Sequence, residues 1–430
     1  MPIRSRIARA VVASLGALAL VLTVVACSSP AHPNVVASLA PHSQLPDATR
    51  QQLSAAVTDA MAATGSSGAI AGVWAPWSGT WVQGLGSTTW GGKTPVDPDM
   101  TFRAGPVTRA MTCDVLYEVA DRGTVRLTDS VTKYVSGIPK LSEVTLQQLC
   151  DGTSGIGSYR GVLEPLLRMT PGRTWDPREL VGYGIGQVGE DLQPGVGFRD
   201  SDAGYVLLGL ALERATGKSA SALLSEYVFD PLGLSSSKLP GATASEPVVG
   251  SSQPLPGYYL ASRTKSGAYV CDKQTDITEQ SASFGFTDSG VVSDIEDVAA
   301  YAHALAEGTL VPTKKRLAAP LAVAPTAPAW FTTAGGVVKV GPLIGQYGQA
   351  SGYLTAAFAD PASDLVVAVV LNDSTAGQGP IIDLVRELAA IASMAPGVGG
   401  KAAPALGLPW TADQFHATIA KNAICPVPRS

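Results

Sequence analysis

The tetrapeptide Ser130-Val131-Thr132-Lys133 has the residue types and the spacing of a nucleophilic site. A lysine one helical turn after a serine can accept the hydroxyl proton, so that the serine oxygen attacks a carbonyl carbon. This tetrapeptide stands between Asp129 and Tyr134, however, in a segment that is predicted to be a loop after a buried helix. Four-residue patterns of this kind recur by chance, and we therefore interpret Ser130 as non-catalytic.

Other catalytic patterns offer no alternative. The sequence has no Gly-x-Ser-x-Gly motif and no His-Glu-x-x-His motif, and its four histidines are scattered along the chain. Lys339, two residues before Gly341, is interpreted as a surface lysine beside a turn. The sequence accordingly predicts neither a metal site nor a cofactor.

The composition is typical of a large globular protein. Of 430 residues, 46% are hydrophobic and 15% are charged, and the formal net charge is −5. A chain of this length can bury a large core. It carries no basic patch, so a nucleic acid partner is not expected.

A buried helix, predicted at residues 107–121, would position any reactive side chains. Its polar stripe is narrow and consists of Asp114, Glu118 and Asp121, so other elements must cover most of its circumference. Apolar periodicity predicts further helices at residues 203–215, 220–229 and 294–305.

The two ends of the chain are predicted to share one sheet. Strand-like runs lie at residues 69–74 and 80–85 near the beginning, and at 354–358 and 365–371 near the end. Pro380 is predicted to begin a helix after the last strand. This order indicates an α/β or α+β protein whose first and last strands lie in the same sheet.

A family resemblance is carried by segments between Thr101 and Leu234. In chain order they are Thr101-Phe102-Arg103-Ala104-Gly105-Pro106-Val107-Thr108-Arg109, Leu127-Thr128-Asp129-Ser130-Val131-Thr132-Lys133-Tyr134, Leu149-Cys150-Asp151-Gly152-Thr153-Ser154-Gly155, Gly204-Tyr205-Val206-Leu207-Leu208-Gly209 and Pro231-Leu232-Gly233-Leu234. They resemble the class C serine β-lactamase and D-alanyl-D-alanine carboxypeptidase superfamily, and the resemblance covers roughly residues 47–394. It implies an α+β (β-lactamase/transpeptidase-like) fold. Such a fold has an antiparallel sheet of about five strands, helices on both faces and a helical subdomain.

The positions that carry catalysis in that superfamily are changed in this chain. Its Ser-x-x-Lys motif is replaced by Pro106 and Arg109. Proline has no nucleophilic atom, and arginine keeps its proton because its pKa lies above ~12. The Tyr-x-Asn motif aligns with Asp200-Ser201-Asp202, and the Lys-Thr-Gly or His-x-Gly motif aligns with Gln349-Ala350-Ser351. None of these family-equivalent positions is expected to be catalytically functional.

The changed residues still define an expected ligand cleft. Its candidate residues are Arg109, Asp200, Ser201, Asp202, Gln349 and Ser351. In the superfamily the helix lysine lies within hydrogen-bond reach of the Tyr-x-Asn motif, so the resemblance places Arg109 opposite Asp200 and Asp202. A buried guanidinium is costly without a carboxylate partner. We therefore expect an Arg109 nitrogen within ~4 Å of one of the two aspartates.

Four cysteines remain besides Cys27. In an oxidising compartment an even number suggests disulfides, with three possible connectivities, and four buried free thiols are the alternative. Cys113 lies on the buried helix and Cys150 in the segment expected to pack beside it. We therefore favour that pair, which leaves Cys271 to pair with Cys425.

The N-terminal residues have the pattern of an export signal. Three arginines precede an uncharged apolar run at residues 10–25. Val24-Val25-Ala26-Cys27 resembles the bacterial lipobox, which implies a diacylated cysteine at the mature N-terminus. An ordinary signal peptide with a chance cysteine is the alternative. Removal of residues 1–26 would change the formal net charge from −5 to −8.

These features predict four parts: a lipoprotein signal peptide at 1–26, a flexible tether at 27–46, a β-lactamase-like domain at 47–395 and a C-terminal extension at 396–430. We interpret the protein as a pseudoenzyme, anchored to the outer face of the cytoplasmic membrane through Cys27. Its ligand would be a cell-wall fragment, a peptide or an envelope protein. The alternatives are an active serine hydrolase with a non-standard nucleophile (β-lactamase, D-amino-acid peptidase or esterase) and a purely structural envelope protein.

The lipid anchor gives the first testable prediction. Cys27→Ser removes the thiol that would carry the lipid, so the exported protein should move from the membrane fraction to the medium. Fractionation followed by immunoblotting measures this, with Ser28→Ala as the matched control that should stay in the membrane fraction. A Cys27→Ser protein that still sediments with membranes would show that the apolar segment itself is retained in the bilayer.

Overall fold

The computed structural model describes residues 39, 43–138, 141–188 and 192–426. These residues lie within a unit that spans Asn34–Ser430. The predicted signal peptide, Cys27 and most of the predicted tether lie outside the described residues. Within the described part of the chain, no helix is long and apolar enough to span a bilayer.

The described strands belong to one large and two small sheets. They are β1 (Gly68–Ala75), β2 (Gly79–Gly86), β3 (Phe102–Arg103), β4 (Tyr258–Leu260), β5 (Gln274–Asp276), β6 (Val292–Ser293), β7 (Leu321–Ala322), β8 (Phe331–Ala334), β9 (Val337–Val340), β10 (Leu343–Ala350), β11 (Tyr353–Asp360) and β12 (Leu365–Leu371). Eight of them form an antiparallel sheet in the order β2-β1-β12-β11-β10-β9-β8-β7. The pairs β3–β6 and β4–β5 form the small sheets.

The described helices vary from single turns to five turns. They are α1 (Asp47–Thr64), α2 (Val107–Asp121), α3 (Leu146–Cys150), α4 (Arg160–Met169), α5 (Pro177–Gly186), α6 (Asp202–Thr216), α7 (Ala220–Leu224), α8 (Asp230–Leu232), α9 (Phe286–Ser289), α10 (Ile295–Glu307), α11 (Thr313–Arg316), α12 (Gly379–Ser393) and α13 (Ala412–Lys421). The predicted α+β fold with an antiparallel sheet, flanking helices and a helical region is confirmed.

The ends of the chain meet in the sheet as predicted. β1 pairs with β12, and Ile70 lies opposite Val370. Every residue of β1, β11 and β12 is buried, because helices cover both faces of these central strands. The sheet has eight strands and not about five. The additional strands β7, β8 and β9 have only two to four residues each, which is too short for a clear alternation of apolar and polar residues.

Two apolar cores lie on the two faces of the sheet. On one face α1 and α12 pack on the central strands, and on the other face α2 and α10 do so. Helix α2 is buried along nearly its whole circumference, as its narrow polar stripe predicts. The C-terminal extension adds Trp410, Phe415 and Ile419 to the α1–α12 core, so it forms part of the same unit.

The predicted disulfide pairing is confirmed. Cys113 on α2 is bonded to Cys150 at the end of α3, with Cα atoms 5.6 Å apart. Cys271 is bonded to Cys425, with Cα atoms 5.9 Å apart and a sequence separation of 154. The second bridge ties the C-terminal extension to the loop between β4 and β5.

A buried ion pair links α2 to the segment before the short strands. Asp114 on α2 accepts hydrogen bonds from Arg316 and, at 2.6 Å, from the Tyr301 hydroxyl group of α10. Arg316 also donates to the Gly335 carbonyl oxygen at 2.6 Å. Burial raises the pKa of Asp114 even though Arg316 opposes that shift. Desolvation therefore outweighs attraction, and neither charge can be removed alone without leaving the other unpaired.

This pair gives a prediction about stability. Asp114→Asn should lower the free energy of unfolding by about 3–5 kcal/mol, because it leaves a buried guanidinium without a counterion. Guanidinium chloride unfolding measures the change. As a control, Glu226→Gln, which breaks the exposed Lys218–Glu226 pair, should cost no more than about 1 kcal/mol. The double variant Asp114→Leu/Arg316→Met should be more stable than Asp114→Asn, and the opposite order would contradict this account.

Candidate functional site

The site begins where helix α2 starts. Gly105 has the positive φ of +58° that favours glycine, and Pro106 follows it as the residue that caps the helix. The proline ring packs against β10 so closely that a Cβ atom on Gly348 would lie 2.7 Å from Pro106 Cγ. Pro106 therefore provides neither a hydroxyl group nor an amide N–H at the point where the helix meets the sheet.

Arg109 lies one turn further along α2, and its side chain contacts two carboxylates and one aromatic ring. Its Nη1 atom donates to Asp200 Oδ1 at 2.6 Å, and its Nε atom donates to Asp288 Oδ1 at 2.7 Å. The guanidinium carbon lies 4.9 Å from the centre of the Tyr205 ring. The side chain is only 12% exposed. The predicted ion pair between Arg109 and Asp200 is confirmed.

Arg109 and Asp200 each stabilise the charged form of the other. Burial alone would lower the pKa of Arg109, but the negative charges of Asp200 and Asp288 outweigh it and raise that pKa further above its usual range. Burial would likewise raise the pKa of Asp200, but the charge of Arg109 outweighs it and lowers the pKa. The Gln378 side chain hydrogen-bonds Asp200 and acts in the same direction. Arg109 is consequently a permanent cation that cannot accept a proton.

Asp202 does not pair with Arg109, so Asp200 is the one of the two aspartates that meets the expectation. Its carboxylate accepts hydrogen bonds from the Ser158 hydroxyl group at 2.5 Å and from the amides of Tyr159 and Arg160 at 2.8 and 3.1 Å. Asp202 is the first residue of α6, and the start of α4 presents free amide donors to it. Burial and the nearby charge of Asp288 raise its pKa.

Asp288 is the functional residue that the sequence analysis missed. It is fully buried on α9, where Oδ1 accepts from Arg109 and Oδ2 accepts from Arg160 Nη2 at 3.5 Å. Arg160 Nη2 also donates to the Ser289 hydroxyl oxygen at 3.1 Å. A signal was present in the sequence, because Asp288 is the only charged residue between Glu279 and Asp294. A lone charge in such a segment is usually paired when the segment is buried.

The remaining cleft candidates are less closely connected to Arg109. Ser201 is buried, caps α6 by accepting from the Gly204 amide at 2.9 Å, and donates to the Gly157 carbonyl oxygen. Ser351 is buried, and its hydroxyl group has no hydrogen-bond partner among the described residues. Gln349 lies on β10 directly opposite Leu354.

Ser130 and Lys133 do not form a catalytic pair. Ser130 caps a short 3-10 helix, and its hydroxyl group is 2.8 Å from that of Thr132. The Lys133 amine donates to Asp129 at 2.9 Å, and Asp129 also accepts from the Tyr134 hydroxyl group at 2.6 Å. Hydrogen bonds from Tyr134 and Lys133 lower the pKa of Asp129 far below its usual range. The tetrapeptide is a structural turn.

Metal-ligating side chains cluster away from this site. Among the described residues, His303, Glu307 and Asp364 bring one ligand atom each within 4.8 Å of one another. They lie on α10 and in the turn between β11 and β12. His303 already contacts Asp364 at 3.3 Å, and the three side chains lie at the surface.

The fold and the location of this site define the class of protein. A buried helix that starts against a large antiparallel sheet, beside a helical region, is the β-lactamase/transpeptidase-like architecture that the sequence predicts. The profile of the β-lactamase family matches residues 53–390. The chain therefore belongs to the β-lactamase family.

Solved structures and curated relatives agree with this assignment. A D-stereospecific amidohydrolase from Streptomyces sp. has a TM-score of 0.66 and 24% identity, with coverage of 80% of this chain and 98% of that chain. The octameric penicillin-binding protein homologue from Pyrococcus abyssi has a TM-score of 0.61 and 22% identity, with coverage of 76% and 74%. At these identities the likeness establishes the fold.

Curated relatives match over a shorter region. Penicillin-binding protein 4 of Amycolatopsis lactamdurans is 28% identical over 144 residues, which are 32% of this chain and 36% of that protein. The D-alanyl-D-alanine-carboxypeptidase/endopeptidase AmpH of Escherichia coli K12 is 28% identical over 161 residues, 35% of this chain and 39% of that protein. The matched region thus spans little more than a third of each relative.

The Arg109 network gives a prediction about stability. Arg109→Ala leaves the buried Asp288 with only the distant Arg160 contact and leaves Asp200 unpaired, and should lower the free energy of unfolding by about 3–5 kcal/mol. Arg109→Lys should cost less, because lysine keeps the charge but loses the planar fork. Denaturant unfolding of both variants, beside the exposed control Arg178→Ala, measures this. Equal stability of Arg109→Ala and Arg178→Ala would show that the network does not hold the fold.

Proposed function

We propose that this protein is a non-acylating member of the β-lactamase family. In this proposal a lipid on Cys27 anchors it outside the cytoplasmic membrane. Its cleft binds a cell-wall fragment, a peptide or an envelope protein reversibly. The observation that carries the proposal is the pair Pro106 and Arg109 at the helix start, with Arg109 paired to two carboxylates.

The chemistry of acyl transfer explains why that pair matters. A covalent acyl-enzyme needs a nucleophilic oxygen and a neighbouring base that can take its proton. Pro106 provides no such oxygen, and Arg109 provides no base at any physiological pH because its pKa is raised. The tetrapeptide at Ser130 does not replace them, since Lys133 is bound to Asp129.

Several features of the cleft support a binding function. The Asp200 side chain is 44% exposed although Arg109 binds it, so part of this side chain is accessible to a ligand. The Gln378 side chain lies beside it. Carboxylate and amide groups in fixed positions suit a peptide-like ligand with N–H donors. The names of the relatives, among them a D-stereospecific amidohydrolase and a D-alanyl-D-alanine-carboxypeptidase, point to peptides that contain D-amino acids.

The location outside the membrane has independent support. Disulfides persist in oxidising compartments and are rare in the cytosol. The structure pairs Cys113 with Cys150 and Cys271 with Cys425. Together with the lipobox-like segment at Cys27, this favours an exported lipoprotein.

The proposal predicts binding without acylation. The full mature protein should show no turnover of a chromogenic cephalosporin and no penicilloyl mass increment in intact-protein mass spectrometry, because both require an acyl-enzyme. A penicillin-binding protein that is known to be acylated serves as the positive control. A penicilloyl adduct on any serine would replace this proposal with the active-hydrolase alternative, and peptide mapping would identify the nucleophile.

The binding half of the prediction is tested by calorimetry with a soluble muropeptide that ends in D-alanyl-D-alanine. Asp200→Asn should weaken binding about tenfold or more, since a charge-assisted hydrogen bond contributes about 1.5–3 kcal/mol. The exposed Asp176→Asn is the matched control and should bind like the unchanged protein. If both variants bound the muropeptide with the same affinity, the ligand would not bind at Asp200.

A further inference from the structure

A groove of about 850 Å³ lies between α1, α12 and the C-terminal extension. Its walls are largely apolar and include Ala56, Ile391, Met394, Leu406, Leu408 and Trp410. Met394 is 82% exposed at the end of α12, so the apolar wall continues to the rim of the groove. The volume falls within the range of small-molecule sites.

The charged groups of the groove are acidic. Asp59 of α1, Glu387 of α12 and Asp413 of α13 line it, and none of its described lining residues is a lysine or an arginine. His416 is the one basic side chain in that set. This arrangement of charge is complementary to a cation and unfavourable for an anion.

Glu387 marks the end of the groove where a cation would bind. Its side chain is only 5% exposed in a wall of largely apolar residues. One oxygen, Oε1, contacts His416 Nδ1 at 3.0 Å, whereas the other oxygen, Oε2, is buried and has no hydrogen-bond partner among the described residues. A buried carboxylate oxygen without a donor is costly. Burial also raises the pKa of Glu387 to about 7.

The walls of the groove are fixed before any ligand arrives. The Trp410 indole N–H donates to the Arg386 carbonyl oxygen at 2.9 Å, which holds the extension against α12. The Cys271–Cys425 disulfide then anchors the chain just after α13. A preformed groove loses little conformational entropy on binding.

We infer that this groove is a binding site for an amphiphilic amine, an apolar chain or ring that carries one protonated amino group. The apolar part lies along α1, α12 and the residues before Trp410, and the ammonium group donates to Glu387. The site is separate from the Arg109 cleft and does not depend on the proposed function of that cleft.

Calorimetry with n-octylamine tests the inference on the full mature protein. Octylamine should bind at pH 8 at least tenfold more tightly than n-octanol, which has the same chain without the charge. Octanoate should bind more weakly than either. The inference would be overturned if octanol bound as tightly as octylamine, or if octylamine did not bind at all.

Variants separate this site from general adsorption. Glu387→Gln should weaken octylamine binding at least tenfold, whereas Glu307→Gln, at an exposed position on α10, should leave it unchanged. Ala55→Trp introduces a large side chain from an exposed position of α1 and should also abolish binding. It serves as the second variant should Glu387→Gln fail to fold by circular dichroism. Unchanged binding in Ala55→Trp would contradict the site.

The pH dependence has a defined sign. Below the raised pKa of Glu387 its carboxyl group is neutral and no longer attracts an ammonium ion. Asp59, Asp413 and His416 are the other titratable groups that line the groove. Octylamine affinity should therefore rise between pH 5.5 and pH 8. The rise should be much smaller in Glu387→Gln, and an equal rise in both proteins would show that the effect does not come from Glu387 and would overturn the inference.

Discussion

Asp288 is the carboxylate on which the arrangement of the family site depends. One of its oxygens binds Arg109 of α2, and the other binds Arg160 of α4. Arg109 in turn binds Asp200, which directly precedes Ser201 at the start of α6. Asp288 is fully buried and Arg109 is largely buried, and burying either charge alone would cost several kcal/mol. The network therefore links α2, α4, α9 and the residue before the cap of α6.

The same network underlies the proposal that this protein does not form an acyl-enzyme. A general base must be free of its proton near neutral pH, which requires surroundings that do not favour its protonated form. Asp200 and Asp288 favour the charged form of Arg109 strongly. The interactions that stabilise Arg109 in the site are therefore the ones that prevent it from acting as a base.

Sequence reasoning was successful where a pattern is long and local. The burial of helix α2 was predictable from one narrow polar stripe, and the shared sheet of the first and last strands from apolar runs at opposite ends of the chain. The Arg109–Asp200 pair came from the family resemblance. Asp202 was misplaced because its partners are amides at the start of α4, and only the folded chain brings them to the start of α6. Asp288 was missed for the same reason, since 179 residues separate it from Arg109.

The sheet explains how the family site could change without loss of the fold. Alternate residues of its strands point to opposite faces, so one strand contributes to two cores. On β11, Thr355 donates to the Arg103 carbonyl oxygen on the α2 side, while its neighbour Leu354 lies in the α1–α12 core. The all-buried central strands keep the two cores apart. The start of α2 packs into one core, whereas Trp410, which lines the acidic groove, packs into the other.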